Sequence, residues 1–532
     1  MKIKVQKAKA KAIIAREERD TNAHSKASAT FLDRSLGIPL LCPLIDQGLA
    51  YFMRNYAVGL ELPPMQSEAY NKHLSTYGFH PIISTSMTAV GLAGVANLCM
   101  DHRLRREAMK WYSKALSMTN KALASPSEVK SDNTLFATIL LSVFESTSNE
   151  TTLMGWVNHV TGSASLCRMR GKAQFATPVG RRMYLQTIGM LAIKCLGEGV
   201  PLPDFVHDLN GEVAEWEDKN DPGNLFYHLH IAAADFRAQV LRGELTSLHA
   251  IVDRALEIDE SAQHIFDHVD GNWIYTVENC AQGTPGVFGT SYHVYPSLAA
   301  AQTWNWVHYL RIFVLDIVRN SLMAGLSTTP PVFVGARYIH LLEKSTLALY
   351  KMQADIIASM PQHMHDTPKV PMSHSSIHDS PEPTIYTSQL SNLTQPANLS
   401  TSPHPPPTKL FTSNFLPNPL PASHYPSSTY PATPRDQLPI IRVSGGYSSL
   451  FALFIAGATP IASPESQEYV IKTLKRVGVE YGINQAKLLA NVLQIKIGMD
   501  RVGWTGLEER RGEGAWEVVP DYMPGVGQHL EV

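Results

Sequence analysis

The residues able to do chemistry are present in this chain, but their spacing builds no familiar catalytic constellation. A nucleophile elbow needs Gly-x-Ser-x-Gly to hold a serine on a sharp turn, and Gly445-Gly446-Tyr447-Ser448-Ser449 lacks the second flanking glycine. There is no His-Glu-x-x-His zinc helix, no phosphate-cradling P-loop and no Gly-x-Gly-x-x-Gly turn. His228-Leu229-His230 lies in apolar helical text, which reads as surface or core histidine rather than a ligand pair. The five cysteines (Cys42, Cys99, Cys167, Cys195, Cys280) stand 28 or more residues apart with no Cys-x-x-Cys, a poor fit to zinc ribbons, redox centres and disulfide scaffolds. No metal or other cofactor is expected.

Two local patterns are more specific. In Trp156-Val-Asn-His159-Val-Thr-Gly162, the tryptophan, histidine and glycine are helical neighbours, and Leu166 and Arg170-Gly171 follow. A glycine inside a helix costs about 1 kcal/mol, so Gly162 is read as a place of close helix crossing beside a hydrogen-bonded His159, with Gly171 ending the helix. A ligand pocket is the competing reading. The second pattern runs from Ala299-Ala300-Ala301 through Trp304-Asn305 to Arg311. Its small residues permit close packing, and buried Asn305 and Arg311 require partners.

The elements that must position these residues are helices. Arg103–Leu123 places Leu104, Ala108, Trp111, Tyr112, Ala115, Met118 and Ala122 on one stripe and Lys110, Lys114 and Lys121 away from it. Ser131-Asp132 caps a second helix with apolar Phe136, Ile139, Leu140, Val143 and Phe144. Further helices are expected over 153–169, 178–196, 225–241, 245–269, 296–322, 331–359, 463–481 and 484–499, the last two separated by Gly482. Strand signals are nearly absent, and no 34-residue repeat supports a regular solenoid.

Residues 361–438 interrupt the helical text with 16 prolines, many Ser and Thr, and six histidines, including His363 and His365. Such composition cannot repay the entropy of folding and reads as a disordered Pro/Ser/Thr-rich linker rather than a metal tract. The expected organisation is a basic tail (1–30), the main helical part (31–360), the linker (361–438), a helical completion (439–500) and an irregular tail (501–532).

In 532 residues, 44% hydrophobic and 17% charged, there is material for a large core. A formal net charge of -2 excludes a globally basic nucleic-acid binder. The first 30 residues nevertheless hold eight Lys/Arg against three acidic residues. Lys2, Lys4, Lys7, Lys9 and Lys11 give this segment charge without base-reading geometry, as either a solvated tail or a phosphate-contacting or nuclear-import arm. No secretory leader is read at the start. The apolar runs 448–462 and 298–318 are interrupted by Gly, Pro or charged residues and are not read as membrane spans. A soluble, intracellular protein without membrane contact is expected.

As an ordered set, Ser131-Asp132, Leu135, Leu140-Leu141, Phe144-Glu145, Trp156-x-x-His159-x-x-Gly162 and Arg170-Gly171 resemble the regulatory domain of fungal zinc-cluster transcription factors. The segment Trp304-Asn305 to Arg311-Ile312 and the stretch Ile455-Ala456-Gly457, Gly482-Ile483, Ala486 are similar to the same domain, over roughly residues 40–500. The resemblance implies an all-α, stacked-helical regulatory domain acting in the nucleus, often in control of metabolic gene clusters. That domain normally follows a six-cysteine zinc cluster that places a helix in the major groove. No cysteine precedes Cys42, and a gene model missing an upstream exon would give the same text. Val307 and His308 stand where the family tends to have Tyr and Arg.

The resulting expectation is a non-enzymatic transcription regulator. It would work through the transcription machinery or a DNA-binding partner protein, with a homodimer among the assemblies considered and only weak, non-specific DNA contact of its own. A helical interaction scaffold and an enzyme with an unrecognised helical pocket are the alternatives.

Overall fold

A computed structural model describes residues 43–56, 79–367 and 442–502. Along the chain run α1 (Leu44–Asn55), α2 (Pro81–Leu98), α3 (His102–Ala124), α4 (Asp132–Ser148), α5 (Met154–Arg170), α6 (Pro178–Glu198) and α7 (Asp204–Val213). They are followed by α8 (Pro222–Leu241), α9 (Leu248–Gln263), the strands β1 (Thr276–Asn279) and β2 (Ser291–Val294), α10 (Leu298–Ser327) and α11 (Ala336–His363). The last three are α12 (Arg442–Ala458), α13 (Pro464–Glu480) and α14 (Asn484–Val502).

The helices begin where the sequence supplies caps. The side chains of Asp101, Ser131, Thr177, Asp221, Ser247, Ser297 and Ser463 accept first-turn backbone N–H groups that have no intrahelical acceptor. Prolines open α2, α6, α8 and α13, where a missing N–H costs nothing. Gly171 at φ +58° ends α5, and Gly482 at φ +71° breaks α13 from α14, conformations an L side chain rarely adopts.

The described residues form an all-α array in which α1 to α4 pack together, α5 and α6 lead outward to α8, and α10 lies among α8, α9, α11 and α12. The segment after residue 442 returns to the beginning: α12 touches α1, α13 touches α2, and α14 packs on α4. One large apolar core runs through every helix of this array. A smaller cluster of Trp273, Tyr295, Leu298 and Ala299–Ala301 sits where the β1–β2 hairpin meets α10. The hairpin is antiparallel, with Thr276 opposite Val294 and Asn279 opposite Ser291.

Five features depart from the sequence reading. Helix α1, the hairpin and the short α7 had no strong pattern behind them. Helix α11 continues to His363, past the expected linker boundary, and carries Pro361 inside it. Helix α2 is apolar nearly all round, and by length and composition it could cross a membrane. In the structure 78% of that helix is buried against protein. The tail lysines Lys2, Lys4, Lys7, Lys9 and Lys11, most of the linker and the segment 503–532 lie outside the described residues.

Candidate functional site

Helix α5 presents the first motif to a buried junction of α3, α4 and α12. Trp156 is buried, its ring centroid 5.6 Å from that of Phe451 on α12. One turn on, His159 Nε2 lies 3.0 Å from the Tyr112 hydroxyl of α3, which donates to Glu145 Oε1 of α4 at 2.5 Å. With the phenol proton committed to the carboxylate, the phenol oxygen accepts from His159 in the tautomer that carries its proton on Nε2. Tyr112 also stacks on Phe144, 4.1 Å between centroids and 9° from parallel.

Removing these groups from water sets their titration. Burial raises the Glu145 carboxyl, with the Tyr112 and Asn149 hydrogen bonds opposing it. Burial also lowers His159 to about 4, so the imidazole is neutral at pH 7. The knot therefore joins a neutral ring, a phenol and a carboxylate across three helices. The carboxylate is also held in place from one side by backbone: a Cβ at Gly155 would lie 2.1 Å from Glu145 Oε2.

The close approach falls at Gly155 and not at Gly162. A Cβ at Gly162 would meet nothing within 4 Å, and that position is exposed. The sequence reading is corrected here: seven residues, about two turns, put the two glycines on nearly the same side of α5, but only at Gly155 does a side chain of α4 lie within reach of an added Cβ. Farther along, Arg170 is buried and reaches back to α4, donating to the Lys130 carbonyl at 3.1 Å and pairing with Asp132. This contact ties the C-terminus of α5 to the N-terminus of α4, immediately before Gly171 turns the chain.

The second motif forms a separate junction on α10. Asn305, fully buried, donates to Ser359 Oγ at 3.0 Å and lies 3.1 Å from His363 Nε2, both on α11. His363 thus belongs to the core rather than to a polar linker. Its carbonyl accepts from Tyr481 Oη at 2.7 Å, and burial lowers its ring to about 4. Trp304 stacks face to face on Phe266, 3.6 Å between centroids, and donates its indole N–H to the Trp273 carbonyl at 2.7 Å. Arg311 makes a two-pronged contact with Asp259 of α9, Nε to Oδ1 at 2.7 Å and Nη2 to Oδ2 at 3.2 Å.

At the two departures from the family pattern, Val307 is buried apolar filling. His308 is buried with Nε2 at 3.7 Å from Asp355 Oδ2, and burial lowers it to about 3. Asp355 in turn holds Lys351 at 2.7 Å and faces His293 at 3.9 Å.

The structure therefore gathers Trp156 and His159 at one junction, Arg170 at a neighbouring one, and Trp304, Asn305 and Arg311 along α10. It does not merge them into one site. The partners Asp259, Ser359 and Asp355 had no local signal, whereas Glu145 stood within the motif and Tyr112 on the apolar stripe of α3. Among the described residues, no three His, Cys, Asp or Glu side chains are grouped to hold a metal ion.

An all-helical fold knotted at these positions is the setting in which residues 38–189 match the family model described as a fungal specific transcription factor domain. That span contains α1 to α5, the Trp156 motif and part of α6, and it ends well before Trp304. Among curated proteins, the chain is 28% identical over 138 residues to an uncharacterized protein, AN5342, of Emericella nidulans. The match covers 25% of this chain and 29% of that protein. No solved structure matches the chain.

Proposed function

We propose that this protein regulates transcription in the nucleus of a fungal cell, acting through the transcription machinery or a DNA-binding partner, with control of a metabolic or secondary-metabolite gene cluster as its role. The observation that carries the reading is the family match over 38–189. Its motif residues Trp156, His159 and Arg170 are the ones the fold uses to join α3, α4, α5 and α12. The positive charge of Lys2, Lys4, Lys7, Lys9 and Lys11 would add attraction to phosphates that is independent of base sequence.

The test is a tethered reporter. Fused to an unrelated DNA-binding domain in a fungal host, the full chain is expected to change reporter transcription. A silent reporter with well-expressed nuclear fusion protein refutes the proposal and leaves the interaction-scaffold reading in its place.

A further inference from the structure

The outward face of α3 takes no part in the knots at Trp156 and Asn305, and it is strongly charged. The helix carries Arg103, Arg105, Arg106, Lys110, Lys114 and Lys121 against the single acid Glu107, in a chain whose formal net charge is -2. At 3.6 residues per turn, Arg103, Arg106, Lys110, Lys114 and Lys121 lie within about 80° of one another around the axis. The buried residues Ala108, Tyr112, Ala115 and Thr119 occupy the opposite side. Four of the five cations are exposed and Arg106 is half-buried. The row is straight and about 27 Å long, from 18 residues at 1.5 Å each.

We propose that this face of α3 is a docking surface for the phosphate backbone of duplex DNA. Charge complementarity is the first reason. The second is what the stripe lacks: among the described residues, no exposed large apolar side chain sits on α3. Protein partners are held chiefly by buried aromatic and arginine anchors, whereas three of the five stripe cations are lysines, a type depleted at protein interfaces, and the one aromatic ring near the stripe, Trp111, is half-buried with Lys114 Nζ 4.8 Å above it. Exposed Ser117 adds a hydroxyl donor of the kind that contacts phosphates. The third reason is reach. Arg106, Lys110 and Lys114 span about 12 Å along the axis, comparable to the width of the major groove, so the trio can meet phosphates on both rims.

Because the inner face is committed to α2 and α4, only the cationic stripe is open to the duplex, and the proposed contacts are to its phosphates. The contribution of the stripe is affinity and orientation without sequence choice. The pair Lys110–Glu107, 2.7 Å apart and exposed, is a weak competitor for the phosphate. The role as a docking face rests on the transcription reading, but the binding measurement does not: a silent reporter would remove the role and leave the measured contact.

The experiment is a fluorescence-anisotropy titration of the full chain with a duplex of about 20 base pairs, between about 50 and 200 mM salt. Each phosphate contact contributes about 0.9 to the slope of log affinity against log salt. Arg106→Ala/Lys110→Ala/Lys114→Ala should therefore lower the slope by about 2.7, shrinking the affinity drop across that range by about 40-fold. The charge-matched control Lys344→Ala/Lys472→Ala/Lys475→Ala should leave the slope unchanged. Lys114→Glu/Lys121→Glu, which spares the Lys110–Glu107 pair, should weaken binding further. Equal effects of the stripe and control triples overturn the proposal. So does a polyglutamate probe that binds the stripe more tightly than the duplex, which would assign the surface to an acidic protein.

Discussion

Two glycines seven residues apart on α5 should respond to the same substitution with opposite sign. Gly162 is exposed, helical and faces open space, so Gly162→Ala gains helix propensity and should stabilise by about 1 kcal/mol. At Gly155 the added Cβ would lie 2.1 Å from Glu145 Oε2 and 2.2 Å from its Cδ. The carboxylate cannot swing aside freely, because Tyr112 donates to it at 2.5 Å and Asn149 contacts its other oxygen at 3.4 Å. Overpacking costs about 1–3 kcal/mol, and loosening a charge-assisted hydrogen bond costs about 1.5–3 kcal/mol. After the propensity gain, Gly155→Ala should destabilise by about 1.5–5 kcal/mol. Urea unfolding followed by far-ultraviolet circular dichroism measures both variants. Glu145→Ala removes the obstruction, so adding Gly155→Ala in that background should be neutral or stabilising, a coupling of about 2 kcal/mol or more. The reasoning fails if Gly155→Ala is as stable as the parent, or if its cost survives in the Glu145→Ala background.

Trp156→Ala, which empties a buried indole site against Phe451, should cost about 3–5 kcal/mol in the same unfolding assay. Unchanged stability with lost reporter activity would instead favour a ligand-contacting role. Arg311→Met strands the buried Asp259 carboxylate and should cost about 3–5 kcal/mol, whereas the double variant Arg311→Met/Asp259→Leu should recover much of it. Stability should fall as pH drops from about 6.5 towards 4. His159, His230, His293, His308 and His363 are held near 3 to 4 in the folded chain, so in that window the unfolded chain binds more protons. Glu145, Asp221 and Asp235, raised by burial, oppose this but are fewer, and a urea midpoint no lower at pH 5.5 than at pH 7 would contradict the balance. Cutting the chain at a protease site inserted between residues 380 and 420 should leave the two fragments associated. Gln353 donates to the Ala456 carbonyl at 2.9 Å and α12 packs on α10 and α11, so separation on gel filtration without denaturant would count against that packing.

The periodicity of α3, the Ser131 cap and the breaks at Gly171 and Gly482 were readable because each is a local property of a few neighbouring residues. The demand that Asn305 and Arg311 find partners was also legible, since burial of a polar group implies one. Which partners they find was not. Ser359 and Asp259 lie 54 and 52 residues away in sequence, and only the fold brings them near. Composition misled at His363: Pro361 and His363 share the residue types of the Pro-rich stretch beyond them, although α11 continues there because Tyr481 and Asn305 enclose its end. Gly162 drew attention for standing inside a clear helix. Gly155 did not, because its reason for being glycine is the side chain of another helix.

The contacts that close the array also bear on how it can be made. Asn97 donates to the Gly482 carbonyl across 385 residues, and Tyr481 caps the end of α11 across 118. On a ribosome adding about 5–20 residues per second, those 118 residues take about 6–24 s to emerge. Through that interval α2, α4, α10 and α11 are already synthesised, but the apolar surfaces destined for α12 to α14 have nothing to cover them. The nascent chain is thus held open by its own topology, and that waiting period is when chaperones, rather than packing, must keep it from aggregating.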